Sequence, residues 1–361
     1  MRAAVYHGRG DVRIEDRAEQ ALEPDAVRID VATCGLCGSD VHEYAAGPLA
    51  IPEEHEHALT GETRPVTLGH EFSGTVSEIG ADVDTVAEGD RVTVNPAIWC
   101  GDCRYCQEGT YHRCRYGGSI GLSGGGGGLA ENVVVPATQV VPLHDDVSLE
   151  QGALVEPYSV ALHAIRRSNV RAGSTVAVFG AGPIGLCVTE LAAVAGATDV
   201  FVSEPRAARR EVAREMGATE VVDPAETNPI KHISAAADGG VEVAFEVAGV
   251  EQTVMQSIRS TLKGGQVVLI SVFEDEIAVQ PNYVMMAERT ITGSIAYETG
   301  PRAASGEFGR VVELLADGTL DPSPLVSNTI PLADVVEHGF ERLVDPESED
   351  TKILVSLSDG A

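Results

Sequence analysis

The sequence predicts an α/β chain of two domains, one β-rich and one doubly wound around a parallel sheet. Three observations lead there. Residues 1 to about 150 carry short alternating apolar–polar runs broken by glycine and proline. Beyond Leu149 strands and helices alternate, with a glycine-rich turn, Gly180-Ala-Gly-Pro-Ile-Gly185, at the first crossing. With 361 residues, 43% of them apolar, each domain can bury its own core.

In the first domain, residues 26–31, 75–79 and 91–94 alternate as half-buried strands do, and 132–136 reads as another. After the first of these comes Thr33-Cys-Gly-Leu-Cys-Gly-Ser-Asp-Val-His42. Glycines 35 and 38 argue for a turn there. Cys34 and Cys37 read either as a redox pair or as a metal ligand with an idle neighbour. His70 and Glu71 follow, and a histidine alone on a strand is more often structural than a ligand. A cysteine about 30 residues upstream raises the ligand reading to parity. His55 and His57, among Glu53, Glu54 and Glu56, read as a solvated loop. Cys100-x2-Cys103-x2-Cys106-x7-Cys114 places four thiols within 15 residues. Four thiolates complete a tetrahedral Zn²⁺ shell and leave no open position, so that site is expected to be structural. Gly124 to Gly128 lacks the Lys-Ser/Thr of a phosphate loop and is expected to form an open, flexible turn.

The second pattern begins with a helical run over 150–163, with Pro157 kinking it or opening a second helix. Glu156 interrupts an apolar neighbourhood, where a carboxylate is costly unless it is a ligand or hydrogen-bonded to one. A strand over 175–179, the glycine turn and a helix over 186–195 make a dinucleotide fingerprint. In it Gly180, Gly182 and Gly185 allow the turn and close approach, and Pro183 and Ile184 between them belong to the same cofactor-binding turn, with the pyrophosphate expected at the helix N-terminus. The next strand, 200–204, ends in Glu204, 19 residues past Gly185, the spacing of a carboxylate that holds the adenosine ribose. An acid there repels a 2′-phosphate and favours NAD over NADP, although Arg206, Arg209 and Arg210 stand close. Strands over 241–247, 266–272 and 291–296, with helices over 206–216 and 252–262, continue the alternation. A helix over 308–315 and a strand over 353–357 are expected to rejoin the first domain. The division is therefore 1–157, with a zinc lobe at 96–116, then 158–296, then 297–361.

Charge excludes some functions. The net charge is −30, with 55 acidic against 25 basic residues, of which only Lys231, Lys263 and Lys352 are lysines. Such a surface repels nucleic acid and anionic membranes. No apolar run approaches the 18 residues or more of a membrane span. The first residues lack a signal peptide's apolar core, so a cytoplasmic location with reduced thiols is expected.

Taken together, Cys37-Gly-Ser-Asp-x-His42, Gly69-His-Glu71, the four-cysteine lobe and Gly180 to Gly185 resemble the zinc-dependent medium-chain alcohol dehydrogenases, in that family's order and over nearly the whole chain. Leu154-Val-Glu-Pro157 resembles its polyol and butanediol branch, where glutamate replaces a cysteine ligand. The stretches over 57–71 and 118–128 resemble the 2,3-butanediol dehydrogenases within it, with Ala58 standing where proline is expected. The resemblance implies a Rossmann domain beside a GroES-like catalytic domain, and two zinc ions per chain. Cys37, His70, Glu71 and Glu156 would surround the catalytic zinc, Glu156 directly or through water. Cys100, Cys103, Cys106 and Cys114 would hold the structural one. Ser39 would take the substrate's proton and His42 would carry it to solvent through the cofactor ribose. The implied reaction exchanges a hydride between NAD and a small secondary alcohol or ketone, such as 2,3-butanediol and acetoin, in a homodimer or homotetramer. Sorbitol, threonine or glucose dehydrogenation on the same scaffold is the nearest alternative. A non-catalytic nucleotide-binding protein and a thiol oxidoreductase are more distant ones.

The dispersed acidity also predicts a chain adapted to high salt, since at molar ionic strength the Debye length falls to roughly 3 Å and self-repulsion is screened. Thermal unfolding in KCl from 0.1 to 3 M checks this: the melting temperature should rise with salt, and a salt-independent one would overturn it.

Overall fold

A computed structural model describes residues 1–301 and 303–357, which form two units. The first comprises residues 1–156, 297–318 and 326 onward; the second comprises 157–296 and 319–325.

In the first unit a seven-stranded sheet carries the site. Its central strand, Ala26–Gly35, is buried along nearly its whole length, Arg28 included, with only Asp30 exposed, rather than half-buried as its alternation suggests. It pairs antiparallel with Glu71–Ile79 on one side and Lys352–Ser356 on the other. Asn132–Pro136 also pairs with it, and Arg91–Val94 extends the sheet beyond Glu71–Ile79. Register places Gly35 opposite Glu71, and Leu354 opposite Gly35. Val27, Ile29, Phe72, Val92, Ile353 and Val355 fill one core. Burying each such side chain contributes about 1.5–3 kcal/mol. A short hairpin, Ala97–Ile98 with Gly118–Ser119, brackets the four-cysteine lobe.

The glycine run differs from the open turn that its composition suggests. It lies packed along the segment leading into His70. Gly128 N donates to Gly69 O at 2.8 Å and Leu129 N to Leu68 O at 2.9 Å. A Cβ on Gly128 would stand 2.5 Å from the Phe72 ring, and one on Gly127 would overlap the Leu68 carbonyl. Only bare backbone fits there.

The second unit holds a six-stranded parallel sheet. Its order is Glu220–Val222, Asp199–Ser203, Thr175–Phe179, Val241–Glu246, Thr261–Leu269, Thr290–Gly293. The order reverses between Thr175–Phe179 and Val241–Glu246, the feature of a doubly wound nucleotide-binding sheet. Strands buried on both faces explain the near-continuous apolar runs. Pro157 sits in the first turn of the helix Val155–Arg166, where its missing N–H costs nothing. The edge strand runs over Thr290–Gly293 rather than the 291–296 expected, and Ala296 beyond it adopts φ +49°. Residues 319–325, expected in the first domain, group with the second unit. Asp321 N donates to Glu190 of the helix Pro183–Val194 at 2.8 Å, and Glu190 also accepts from the buried Tyr158 hydroxyl. Among the described residues no helix is long and apolar enough to cross a membrane.

Candidate active site

The end of the central strand delivers Cys37, which precedes the helix Gly38–Ala46 as its N-cap. Asp40, in the first turn of that helix, accepts from Cys37 N through Oδ2 at 3.0 Å. Its other oxygen stands 3.4 Å from His70 Nδ1. One buried carboxylate thus caps the helix and orients the imidazole. On the far side of that ring, Ser39 Oγ is 3.2 Å from Nε2. His42, exposed, lies three residues after Ser39 and shares its helix face.

Gly69, at φ +100°, admits His70: a Cβ on Gly69 would stand 2.5 Å from Leu129 N and 2.8 Å from Cys34 Sγ. Cys34 is fully buried, and burial pushes its thiol well above the ordinary range. It therefore packs, unpaired, and the redox-pair reading of Cys34 and Cys37 finds no disulfide. Metal-ligating atoms of Cys37, His70 and Glu71 all lie within 4.8 Å of one another.

Two residues without a signal in the sequence complete the cluster. Lys352, wholly buried, donates to Glu71 Oε2 and to Leu36 O at 2.9 Å. Gly35 makes that pair possible, because any Cβ on it would overlap Glu71 Oε2 and stand 3.0 Å from Lys352 Cε. Burial pulls the Lys352 pKa down, but the neighbouring Glu71 and Cys37 outweigh it and raise it above the ordinary lysine value. Tyr297, also buried, hydrogen-bonds Glu156 and packs edge-on against Phe308 with centroids 4.9 Å apart. Glu156 lies outside the three-residue group; burial and the neighbouring Glu71 push its carboxyl up to about 7. For His70, burial favours the neutral ring, yet the charges of Asp40 and Cys37 raise its pKa well above the usual value.

The donor set fits a divalent cation. Asp40, Glu71, Glu156 and Cys37 gather four acidic groups around one lysine and one histidine, a surplus that an interior does not tolerate without a counter-charge. Glu71 Oε1 is buried with no hydrogen-bond partner. A bound cation would reverse the upward pressure on these acids.

The lobe fits a second one. Its Sγ atoms stand 3.5 Å (Cys100–Cys114), 3.6 Å (Cys103–Cys106), 3.9 Å (Cys100–Cys106) and 4.0 Å (Cys103–Cys114) apart. Thiolates in a tetrahedron with Zn–S bonds of roughly 2.3 Å would be about 3.8 Å apart. These separations are far too long for disulfides. N–H groups of Cys100 and Cys103 donate to sulfur at 3.3 Å each, and backbone donors bring the Cys103 thiol down to about 6.

In the second unit Gly180 adopts φ +107°, and a Cβ on Gly185 would overlap the Gly180 carbonyl. Gly182, the N-cap before Pro183 and Ile184, faces open space, as a backbone approached by a phosphate must. Glu204 is buried, accepting from Ala181 N at 2.8 Å and Arg206 N at 2.9 Å. Arg210 is committed elsewhere, to Asp223 at 3.0 Å and to the Glu204 and Pro205 carbonyls.

Fold and site together define a zinc- and dinucleotide-using dehydrogenase. Residues 23–145 match the alcohol dehydrogenase GroES-like domain, and residues 183–317 match the zinc-binding dehydrogenase family. The chain belongs to the zinc-dependent medium-chain alcohol dehydrogenases and is an oxidoreductase. It is 43% identical to the (R,R)-butanediol dehydrogenase of Bacillus subtilis over 98% of this chain and 99% of that one. The crystal structure of the 2R,3R-butanediol dehydrogenase from that organism superposes with a TM-score of 0.91 at the same coverage. The (R,R)-butanediol dehydrogenase of Neisseria gonorrhoeae is 36% identical over 99% of each chain. A zinc-binding dehydrogenase structure from Sinorhizobium meliloti, bound to NADP, has a TM-score of 0.88 and 33% identity over 98% of each.

Breaking the buried pair tests its weight. Lys352→Met leaves Glu71 uncompensated and should lower stability by about 3–5 kcal/mol. Combining it with Glu71→Gln should cost less than the sum of the two single changes. Urea unfolding followed by the fluorescence of Trp99, the single tryptophan, measures this; strict additivity would show that the pair is not coupled.

Proposed function

We propose that this chain interconverts 2,3-butanediol and acetoin by hydride exchange with NAD. The observation that carries the reading is the buried Cys37, His70 and Glu71 group with a serine hydroxyl at its edge. The full-length likeness to proteins named for butanediol supports the substrate.

Cys37 and His70 would hold the catalytic zinc, with Glu156 as a further ligand directly or through water. Glu71, tied by Lys352 through Oε2, keeps Oε1 buried without a hydrogen-bond partner. Asp40 on Nδ1 fixes the tautomer that leaves Nε2 free for metal. When bound, zinc polarises the alcohol oxygen as a Lewis acid and the nicotinamide accepts the hydride. Oxidation of the alcohol releases one proton with the hydride. Ser39 takes it from the substrate hydroxyl and passes it toward His42 on the same helix face. Ser39 Oγ, 3.2 Å from His70 Nε2, stands at the edge of the group that would hold the metal, within reach of a substrate hydroxyl there. Cys100, Cys103, Cys106 and Cys114 hold the structural zinc, so the chain carries two.

NAD over NADP is supported by Glu204, an acid at the position where the ribose hydroxyls would lie, and by the engagement of Arg210 with Asp223. A homodimer or homotetramer is in keeping with the open sheet edge at Thr290–Gly293 and the exposed Met285, Met286 and Ile295 beside it. The reduced four-thiol lobe suits a cytoplasm, and the acidity suits a salt-rich one.

Ser39→Ala should keep two zinc ions per chain by metal analysis yet lower kcat by about 10²-fold, the scale of a lost proton relay. Full turnover would count against the relay. Steady-state comparison in high salt of acetoin with NADH or NADPH, and of 2,3-butanediol stereoisomers, sorbitol and threonine with NAD, tests the reaction. Preference for sorbitol or threonine would replace the substrate; preference for NADPH would overturn the reading of Glu204.

A further inference from the structure

The doubly wound unit buries a second carboxylate that the reaction does not use. Glu246 closes the strand Val241–Glu246 and has no solvent exposure. It lies in register with Phe179, the last residue of the strand leading into the glycine turn. Those two strands flank the point where the sheet order reverses, and ligands of such sheets bind in the crevice beyond their carboxyl ends.

Among the described residues, the hydrogen-bond donors to the Glu246 carboxylate are neutral and belong to loops or a helix start at this end. Oε1 accepts from Ala248 N and Gly249 N at 2.9 Å each, and from Thr253 Oγ1 at 2.7 Å. Oε2 accepts from Ser271 Oγ, in the loop after the next strand. The loops so held touch one another and the glycine turn. A Cβ on Gly249 would stand 2.7 Å from Val272 O, and one on Gly180 would stand 3.1 Å from Ala248 Cβ. A trans peptide directs its carbonyl opposite to its N–H. With the N–H groups of Ala248 and Gly249 turned onto Glu246, the Val247 and Ala248 carbonyls face away from it.

We propose that Glu246 is a positioning residue for the dinucleotide, fixing the 247–250 and 270–272 loops against the Gly180 turn so that the crevice is formed before the cofactor arrives. This rests on the reading that the chain binds a nicotinamide dinucleotide. The carboxylate touches no reacting atom. Its effect is preorganisation: loops ordered in advance spare the cofactor that cost on binding.

NADH titration followed by the cofactor's own fluorescence tests this, with zinc content and melting temperature recorded for each variant. Glu246→Ala should raise the NADH dissociation constant and the KM for NAD at least tenfold, with kcat changed less than threefold and both zinc ions retained. Glu246→Gln, which keeps one acceptor oxygen, should recover part of the loss. If Glu246→Ala does not fold, Ser271→Ala and Thr253→Val each remove one donor and should weaken binding two- to fivefold. Glu190→Gln, at a half-buried carboxylate of the same unit whose bonds go to Tyr158 and Asp321 rather than to these loops, is the stability control and should leave NADH binding unchanged. Unchanged binding in the Glu246 variants, or equal weakening in Glu190→Gln, would overturn the proposal. Failure of the unaltered protein to bind NADH would instead overturn the cofactor reading.

Discussion

One ammonium group makes the acid-rich pocket of the first unit possible. Lys352 is wholly buried, and its charge is set against Glu71 with Glu156 and the Cys37 thiolate close by. A buried carboxylate without a partner is costly enough to unfold a marginal domain. Lys352 lowers that cost for one of the acids and leaves a residual negative charge for a cation to neutralise. The arrangement distinguishes the two oxygens of Glu71: Oε2 is engaged by lysine and Oε1 is left bare. The geometry depends in turn on an absence, since the central strand must have no side chain at position 35 for lysine and glutamate to meet across it.

Glycine has two different uses in this chain. In the turn after Thr175–Phe179 it leaves open space at Gly182 and allows close packing against the Gly180 carbonyl at Gly185. Around His70 it clears space for the protein's own backbone, as at Gly69, Gly127 and Gly128. A run of glycines in a sequence carries no mark of which use it serves. That is why Gly124 to Gly128 reads as an open turn and folds as a packed shelf.

Much else is legible in the sequence. The short strands of the first unit, the alternation of the second and the cysteine spacing all carry local patterns of period or ligand geometry. Residues 37, 39, 70 and 71 stand out because polar chemistry is concentrated near them. Asp40 carries a weaker signal, a carboxylate three residues after a helix start, where a capping side chain belongs. The helix Pro229–Ala236 also has a local mark, in Asn228 followed by Pro229. Asn228 caps it by accepting from Lys231 N at 3.1 Å, and proline suits its first turn. Its eight residues give too short a period to stand out between the flanking strands. Lys352 and Tyr297 are not legible at all. Each lies far along the chain from its partner, and nothing local separates a lysine that will be buried from one that will be solvated.

The distance along the chain between Glu71 and Lys352 has its own consequence. They are 281 residues apart, and the whole doubly wound unit is encoded between them. At a synthesis rate of roughly 5–20 residues per second, the ribosome needs about 15–60 s to travel from one to the other. Throughout that interval the thiol, imidazole and carboxylates of the nascent site exist without their counter-ion, and the strand that seals them has not been made. The second unit can complete its sheet first. The group that Glu71 belongs to is therefore completed only by the last strand of the chain, when Lys352 arrives beside it.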